Sequence, residues 1–124
     1  MEQLLLHAIG DYITQTDWMA REKLRRWSVA WVHALVYALP FWLLAPSWPA
    51  WLVIFGSHAL IDRYALARHL IYWRAKLFNP ALNWADCCET GFGPHMPPWK
   101  AFWLMVLTDN VMHLCINHAA LRWL

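Results

Sequence analysis

Three His/Asp pairs carry the chemistry open to this sequence: His7 and Asp11 in LLLHAIGDYITQ, His58 and Asp62 in FGSHALIDRY, and Asp109 and His113 in LTDNVMHL. Each pair is spaced four apart, and side chains at i and i+4 lie one above the other on the same face of a helix. Each segment can therefore direct one imidazole and one carboxylate at a common point. With seven His and five Asp in 124 residues, random placement would give about 0.6 such pairs. The chain has three, all inside apolar stretches, where an unpaired polar group is costly to bury.

Neutral imidazole nitrogen and carboxylate oxygen together form the ligand set of Zn, Mn and Fe sites. The six groups exceed what a single zinc needs, so the expected cofactor is a divalent metal, as one ion or as two bridged by carboxylates. Such a pair activates water and stabilises the attacking and leaving oxygens of a phosphoryl displacement. The same groups could instead form a proton relay, or a hydrogen-bonded clasp between helices. Both readings stay open on the residues alone, beside the plainer one in which each pair is a separately satisfied polar group of the core.

The elements that must position these groups are helical and apolar. Hydrophobic residues make up 60% of the chain, charged residues 15%, and eleven residues are Trp, which favours a membrane class, with Trp at the membrane–water interfaces. The mean hydropathy, +0.29, is modest for a multi-spanning protein and keeps a soluble metal-binding bundle in view. A net charge of +2 is too small to argue for a nucleic-acid partner, and no basic–aromatic RNA-binding motif is present. Cys87, Cys88 and Cys115 do not make a disulfide framework. The Met-Glu-Gln start lacks the basic leader of a cleaved signal peptide.

Four helices are expected, in one domain spanning 1–124. Residues 2–20 place His7, Asp11 and Gln15 in an i, i+4, i+8 polar stripe, with a break expected at Thr16-Asp17 and a basic cluster at Arg21, Lys23, Arg25 and Arg26. Residues 27–45 carry no charge over 19 positions, about the length needed to cross a bilayer, and contain His33 and a kinking Pro40. After a turn at Pro46 and Pro49, residues 50–72 carry His58 and Asp62 and leave through Arg63, Arg68 and Arg74. Residues 77–98 are expected as loop because six Pro and Gly punctuate them. Residues 99–124 form the last helix, with Asp109, His113 and Asn117 on one face.

The basic clusters then fall on one side and the Pro46 turn on the other, as the positive-inside rule arranges them. At about 1.5 Å per residue, His33, Asp62 and Asp109 could converge in the cytoplasmic half of the bilayer. Gln15, Asn117 and His118 could orient ligands or touch substrate. Arg21, Lys23 and Arg63 stand where an anionic substrate or headgroup would approach. A soft metal at Cys87, Cys88 and His95 is the lesser possibility.

The motifs together, LLLHAIGDYITQTDWMA, HALVY, SHALIDRY and TDNVMHLCINHAAL, resemble a family of small bacterial and phage membrane proteins of unknown function. Its pattern runs H-x-x-G-D-x-x-x-Q, H-x-x-I-D and D-N/Q-x-x-H. The resemblance implies a membrane protein and a polar set of His7, Asp11, Gln15, Lys23, His33, His58, Asp62, Asp109 and His113. It supplies no activity, and Arg63 and Tyr64 stand where many relatives have a Lys nearby. A more distant likeness is to membrane-bound metal-dependent hydrolases.

The reading is thus an all-α, four-helix integral membrane bundle of the bacterial inner membrane, with its basic loops cytoplasmic. Its metal ligands are His7, Asp11, His58, Asp62, Asp109 and His113, and its candidate catalytic groups are Gln15, Lys23 and His33. The expected function is metal-dependent hydrolysis of a phosphate ester or lipid-like substrate near the cytoplasmic face, with membrane lipids and a second copy of the chain as the partners to test. The alternative is a non-enzymatic phage or prophage membrane protein that binds a host partner in exclusion or defence.

Overall fold

The computed structural model describes residues 1–124, and every regular element in it is helical. The chain falls into two compact units, Met1–Tyr64 with His113–Leu124, and Ala65–Met112.

The first unit starts with α1 (Glu2–Ala8), which widens over Ile9–Ile13 into a turn closed by Thr14 N donating to Ile9 O at 3.0 Å. That i→i+5 bond is a π-type widening of the helix, a local form found often at functional sites. Gly10 permits it to lie close: a Cβ there would stand 2.6 Å from Tyr37 Cδ2 and 3.1 Å from the Tyr37 carbonyl oxygen. The expected helix over 2–20 is therefore broken. Its expected break is present where Thr16 caps α2 (Asp17–Glu22), its side chain accepting from Met19 N.

α3 (Trp27–Ala38) carries His33 and Tyr37 and packs chiefly on α4 (Trp48–Tyr64), which carries His58 and Asp62. Ala30, Ala34 and Ala38 on α3 and Ala50 and Ala59 on α4 are all buried, and such small side chains let two helices approach closely. Pro40 lacks the N–H that would continue α3, and residues Leu39–Leu44 tighten into a 3₁₀ segment that ends at left-handed Ala45 (φ 46). Ser47 accepts from Ala50 N at the start of α4 and donates to Leu124 O. Leu6, Tyr37, Ala38, Phe41, Ala50, Trp51, Ile54 and Ala120 form the core, with Trp51 Nε1 donating to Ala38 O at 3.0 Å.

The expected third helix over 50–72 is two helices. α4 ends at Ala65, which adopts φ 48 and ψ 53, and α5 (Leu66–Phe78) begins there. No Gly or Pro marks the break, so the apolar pattern reads straight through it.

The second unit holds α5, the short α6 (Trp84–Cys87) and the N-terminal part of α7 (Pro98–Trp123). α6 falls inside the span expected as loop. Trp84 stacks on His69 and meets Tyr72 edge-on, and Lys76 donates to Leu82 O at 2.8 Å. Gly91 is left-handed (φ 83), and a Cβ on it would meet Arg68 O at 2.2 Å, so no other residue fits that turn. α7 opens on Pro98, whose fixed φ suits a first helical turn, and runs unbroken past His113 and Asn117.

One helix, Trp27–Leu44, is long and apolar enough to cross a membrane, with a mean hydropathy of 1.5 over 18 residues and 39% of that window buried. The four-helix membrane bundle expected from the sequence thus reduces to an all-helical chain with one candidate span.

Candidate metal centre

Asp11, His33, His58 and Asp62 reach one point from three elements of the first unit: the widened turn after α1, then α3, then α4. His33 and His58 are wholly buried and Asp11 and Asp62 nearly so. One ligand atom from each lies within 4.8 Å of the others. Asp62 Oδ2 is 3.0 Å from His33 Nε2 and 3.2 Å from His58 Nε2. Asp11 Oδ1 is 3.3 and 3.4 Å from the same two nitrogens. The nitrogens themselves are 3.0 Å apart.

These lengths can be set against a coordination shell. A tetrahedral ion with bonds of about 2.1 Å has ligand–ligand edges of about 3.4 Å. The five distances just given, 3.0 to 3.4 Å, are five of the six edges of such a tetrahedron. Asp11 Oδ1 is buried and accepts no hydrogen bond from the protein, although it lies within ion-pairing reach of both imidazoles. A buried carboxylate oxygen without a hydrogen bond is costly, and a cation between these four atoms would remove that cost. The buried His/Asp group could hold a metal ion.

Other groups surround the four. Lys23, just after α2, donates from Nζ to Asp62 Oδ2 at 2.8 Å and lies 3.4 Å from His33 Nε2. His7 Nε2 lies 3.7 Å from Asp11 Oδ2, and His113 Nε2 lies 4.0 Å from Asp62 Oδ1. Tyr37, fully buried, joins these side chains: its ring stacks on His58 with centroids 3.6 Å apart and planes at 9°. Its hydroxyl meets His7 Nδ1 at 2.8 Å and accepts from Asn117 Nδ2 at 2.6 Å.

Residues 1–85 match the family described as "Protein of unknown function (DUF3307)". The chain belongs to this family. No curated protein and no solved structure matches the chain. All four converging side chains of this DUF3307 chain, and Lys23, lie within the matched residues, whereas Asp109, His113 and Asn117 lie beyond them.

Against the expected set, the DUF3307 structure brings Asp11, His58 and Asp62 together as candidate ligands and adds His33, expected among the catalytic groups. His7 and His113 stand beside the cluster. Asp109 is half-buried on α7, one turn before His113, and belongs to the second unit. Gln15 is half-buried with its Oε1 unpartnered. The widened turn ends the helix before it, so the expected stripe stops at Asp11. His118 and His95 are exposed, and Cys87, Cys88 and His95 form no group able to share an ion. Tyr37 is the residue the sequence reading missed. The same i, i+4 rule applied from His33 leads to it, and from His113 to Asn117.

Proposed function

We propose that this chain is a membrane protein whose His/Asp centre binds one divalent ion, of Zn, Mn or Fe, and uses it in hydrolysis of a phosphate ester or a lipid-like substrate. The observation that carries the reading is the tetrahedral spacing of Asp11 Oδ1, His33 Nε2, His58 Nε2 and Asp62 Oδ2. Four protein ligands fill a tetrahedral shell, so hydrolysis would require the ion to accept a water as a fifth ligand, where its Lewis acidity would make that water acidic enough to ionise near neutral pH. Asp11 and Asp62 would balance the ion's charge while His33 and His58 fix its place. His7 and His113, each within about 4 Å of a ligand carboxylate, are placed to take or give a proton. Lys23 would face the anionic oxygen of a substrate, and Gln15 would orient it.

The membrane part of the proposal rests on what the first unit leaves exposed. Trp27, Trp31, Val32, Leu35, Leu39 and Leu43 on the candidate span, and Leu52, Val53 and Leu60 on α4, all face outward. An apolar face of that extent suits lipid better than water. Arg25 and Arg26 are exposed beside Trp27 at the start of the span, which would set that end at the cytoplasmic surface of a bacterial inner membrane.

Elemental analysis of protein purified in detergent without an affinity-metal step tests the centre. One equivalent of metal is expected in wild type and little in Asp11→Ala or Asp62→Ala of retained helicity. A well-folded wild type that takes up no metal on reconstitution overturns the proposal. A second reading is favoured by the Lys23–Asp62 ion pair and the His33–His58 contact, which tie the elements together without an ion. In it the cluster is a clasp or proton relay in a phage or prophage membrane protein that binds a host partner.

A further inference from the structure

The ammonium of Lys23 lies where an ion would have to go. Its Nζ is 2.8 Å from Asp62 Oδ2 and 3.4 Å from His33 Nε2, and those two atoms are half of the tetrahedral set. A divalent ion bound to both at about 2.1 Å would need the lone pairs that now face the ammonium. A lysine has three donors and no acceptor while charged, so it can neither join the ion as a ligand nor share that space with it.

The surroundings give Lys23 somewhere to move. Its side chain is 17% exposed, against 5% for Asp62 and 0% for His33, so it enters from the rim of the cluster. The turn that carries it is held independently: Arg63 donates to Leu24 O and Arg25 O and lies over the Trp27 ring. The backbone can stay in place while the four-carbon stem swings out.

We propose that Lys23 is a built-in competitor for the metal. Its ammonium holds Asp62 and His33 in the metal-free protein and is displaced toward the rim when a divalent ion enters, an inference that rests on the metal-centre reading above. The centre is then a cation-exchange site, loaded when the ion's attraction for two carboxylates and two imidazoles exceeds that of one ammonium for Asp62.

The test is Lys23→Met, which keeps the apolar stem and removes the charge. Mn²⁺ affinity is measured by titration calorimetry on chelator-stripped protein in detergent, and unfolding is followed with and without Mn²⁺. The expected result is crossed: Lys23→Met binds Mn²⁺ at least tenfold more tightly than wild type yet unfolds more easily without it. Folding of the variant only in the presence of Mn²⁺ is the extreme form of the same result. Equal or weaker Mn²⁺ binding by a folded variant overturns the inference while leaving the metal centre standing. Binding of neither Mn²⁺ nor, in a repeat titration, Zn²⁺ by either protein removes the metal-centre reading itself, and this inference with it. Lys23→Gln, given the same measurements, decides the matter if Lys23→Met cannot be folded under any condition.

Discussion

Replacing Gly10 by Ala tests whether the widened turn after α1 is pressed against α3 as closely as the structure has it. A Cβ at Gly10 would lie 2.6 Å from Tyr37 Cδ2, 3.1 Å from Tyr37 O and 3.2 Å from Tyr37 Cα. Carbon atoms in good contact lie about 3.5–4.0 Å apart, so the turn must retreat by several tenths of an ångström. Rotating the Tyr37 ring cannot relieve the two backbone contacts, and the ring is fixed by its stack on His58 and by its hydroxyl's bonds to His7 and Asn117. Ala gains about 0.5–1 kcal/mol over Gly in a helical position, and overpacking of this kind costs about 1–3 kcal/mol. The net expectation is a loss of up to about 2.5 kcal/mol in denaturant unfolding. Metal affinity should fall with it, because the retreat carries Asp11 away from His33 and His58. A Gly10→Ala protein as stable as wild type, with metal binding unchanged, would refute the close packing and the route by which Asp11 reaches the cluster.

Other substitutions separate the parts of the site. Tyr37→Phe keeps the ring on His58 but removes the hydroxyl that meets His7 Nδ1 and accepts from Asn117 Nδ2, a cost of about 1–3 kcal/mol for lost buried hydrogen bonds; denaturation should show that loss while elemental analysis shows the metal content of wild type. Trp51→Phe removes the indole bond to Ala38 O between α4 and α3 and should cost about 1 kcal/mol with no effect on metal content. Since His33 and His58 must be neutral to coordinate, protons compete with the ion, and calorimetric Mn²⁺ affinity should weaken as pH falls through the imidazole range. In the second unit, Gly91→Ala should disrupt the turn against Arg68 O, seen as a loss of soluble or detergent-extractable protein rather than of metal binding alone.

How far the sequence reached depended on whether a physical signal marked each feature. α3 was legible because a run without charge has few alternatives to an apolar helix, and at Thr16-Asp17 the break was expected but not the short helix that Thr16 caps there. The end of α4 at Ala65 was not, because a left-handed alanine leaves no mark in composition. The stripe through Gln15 failed for a related reason: the pattern His7, Asp11, Gln15 is right for a regular helix, and the widened turn over Ile9–Ile13 breaks the register. The His7/Asp11 pair, at α1 and the turn after it, and the His58/Asp62 pair on α4 were legible through the i, i+4 rule alone. His33 has no carboxylate four away, so only the packing of α3 on α4 reveals it as an equal member of the cluster.

That cluster joins side chains from the turn after α1, from α3 and from α4, and this makes stability a direct discriminator between an ion site and a clasp. A ligand that binds the folded state alone stabilises it by RT ln(1 + [L]/Kd), about 2.7 kcal/mol at one hundred times Kd. If the ion completes the tetrahedron, wild type should gain about that amount in unfolding free energy at saturating Mn²⁺, and Asp62→Asn and His33→Ala should gain almost none. If the groups form only a clasp, the two variants should be destabilised by losing the Lys23–Asp62 and His33–Asp62 contacts, and Mn²⁺ should leave all three proteins unchanged. Equal stabilisation of wild type and both variants would place the ion elsewhere on the chain and refute the tetrahedral assignment.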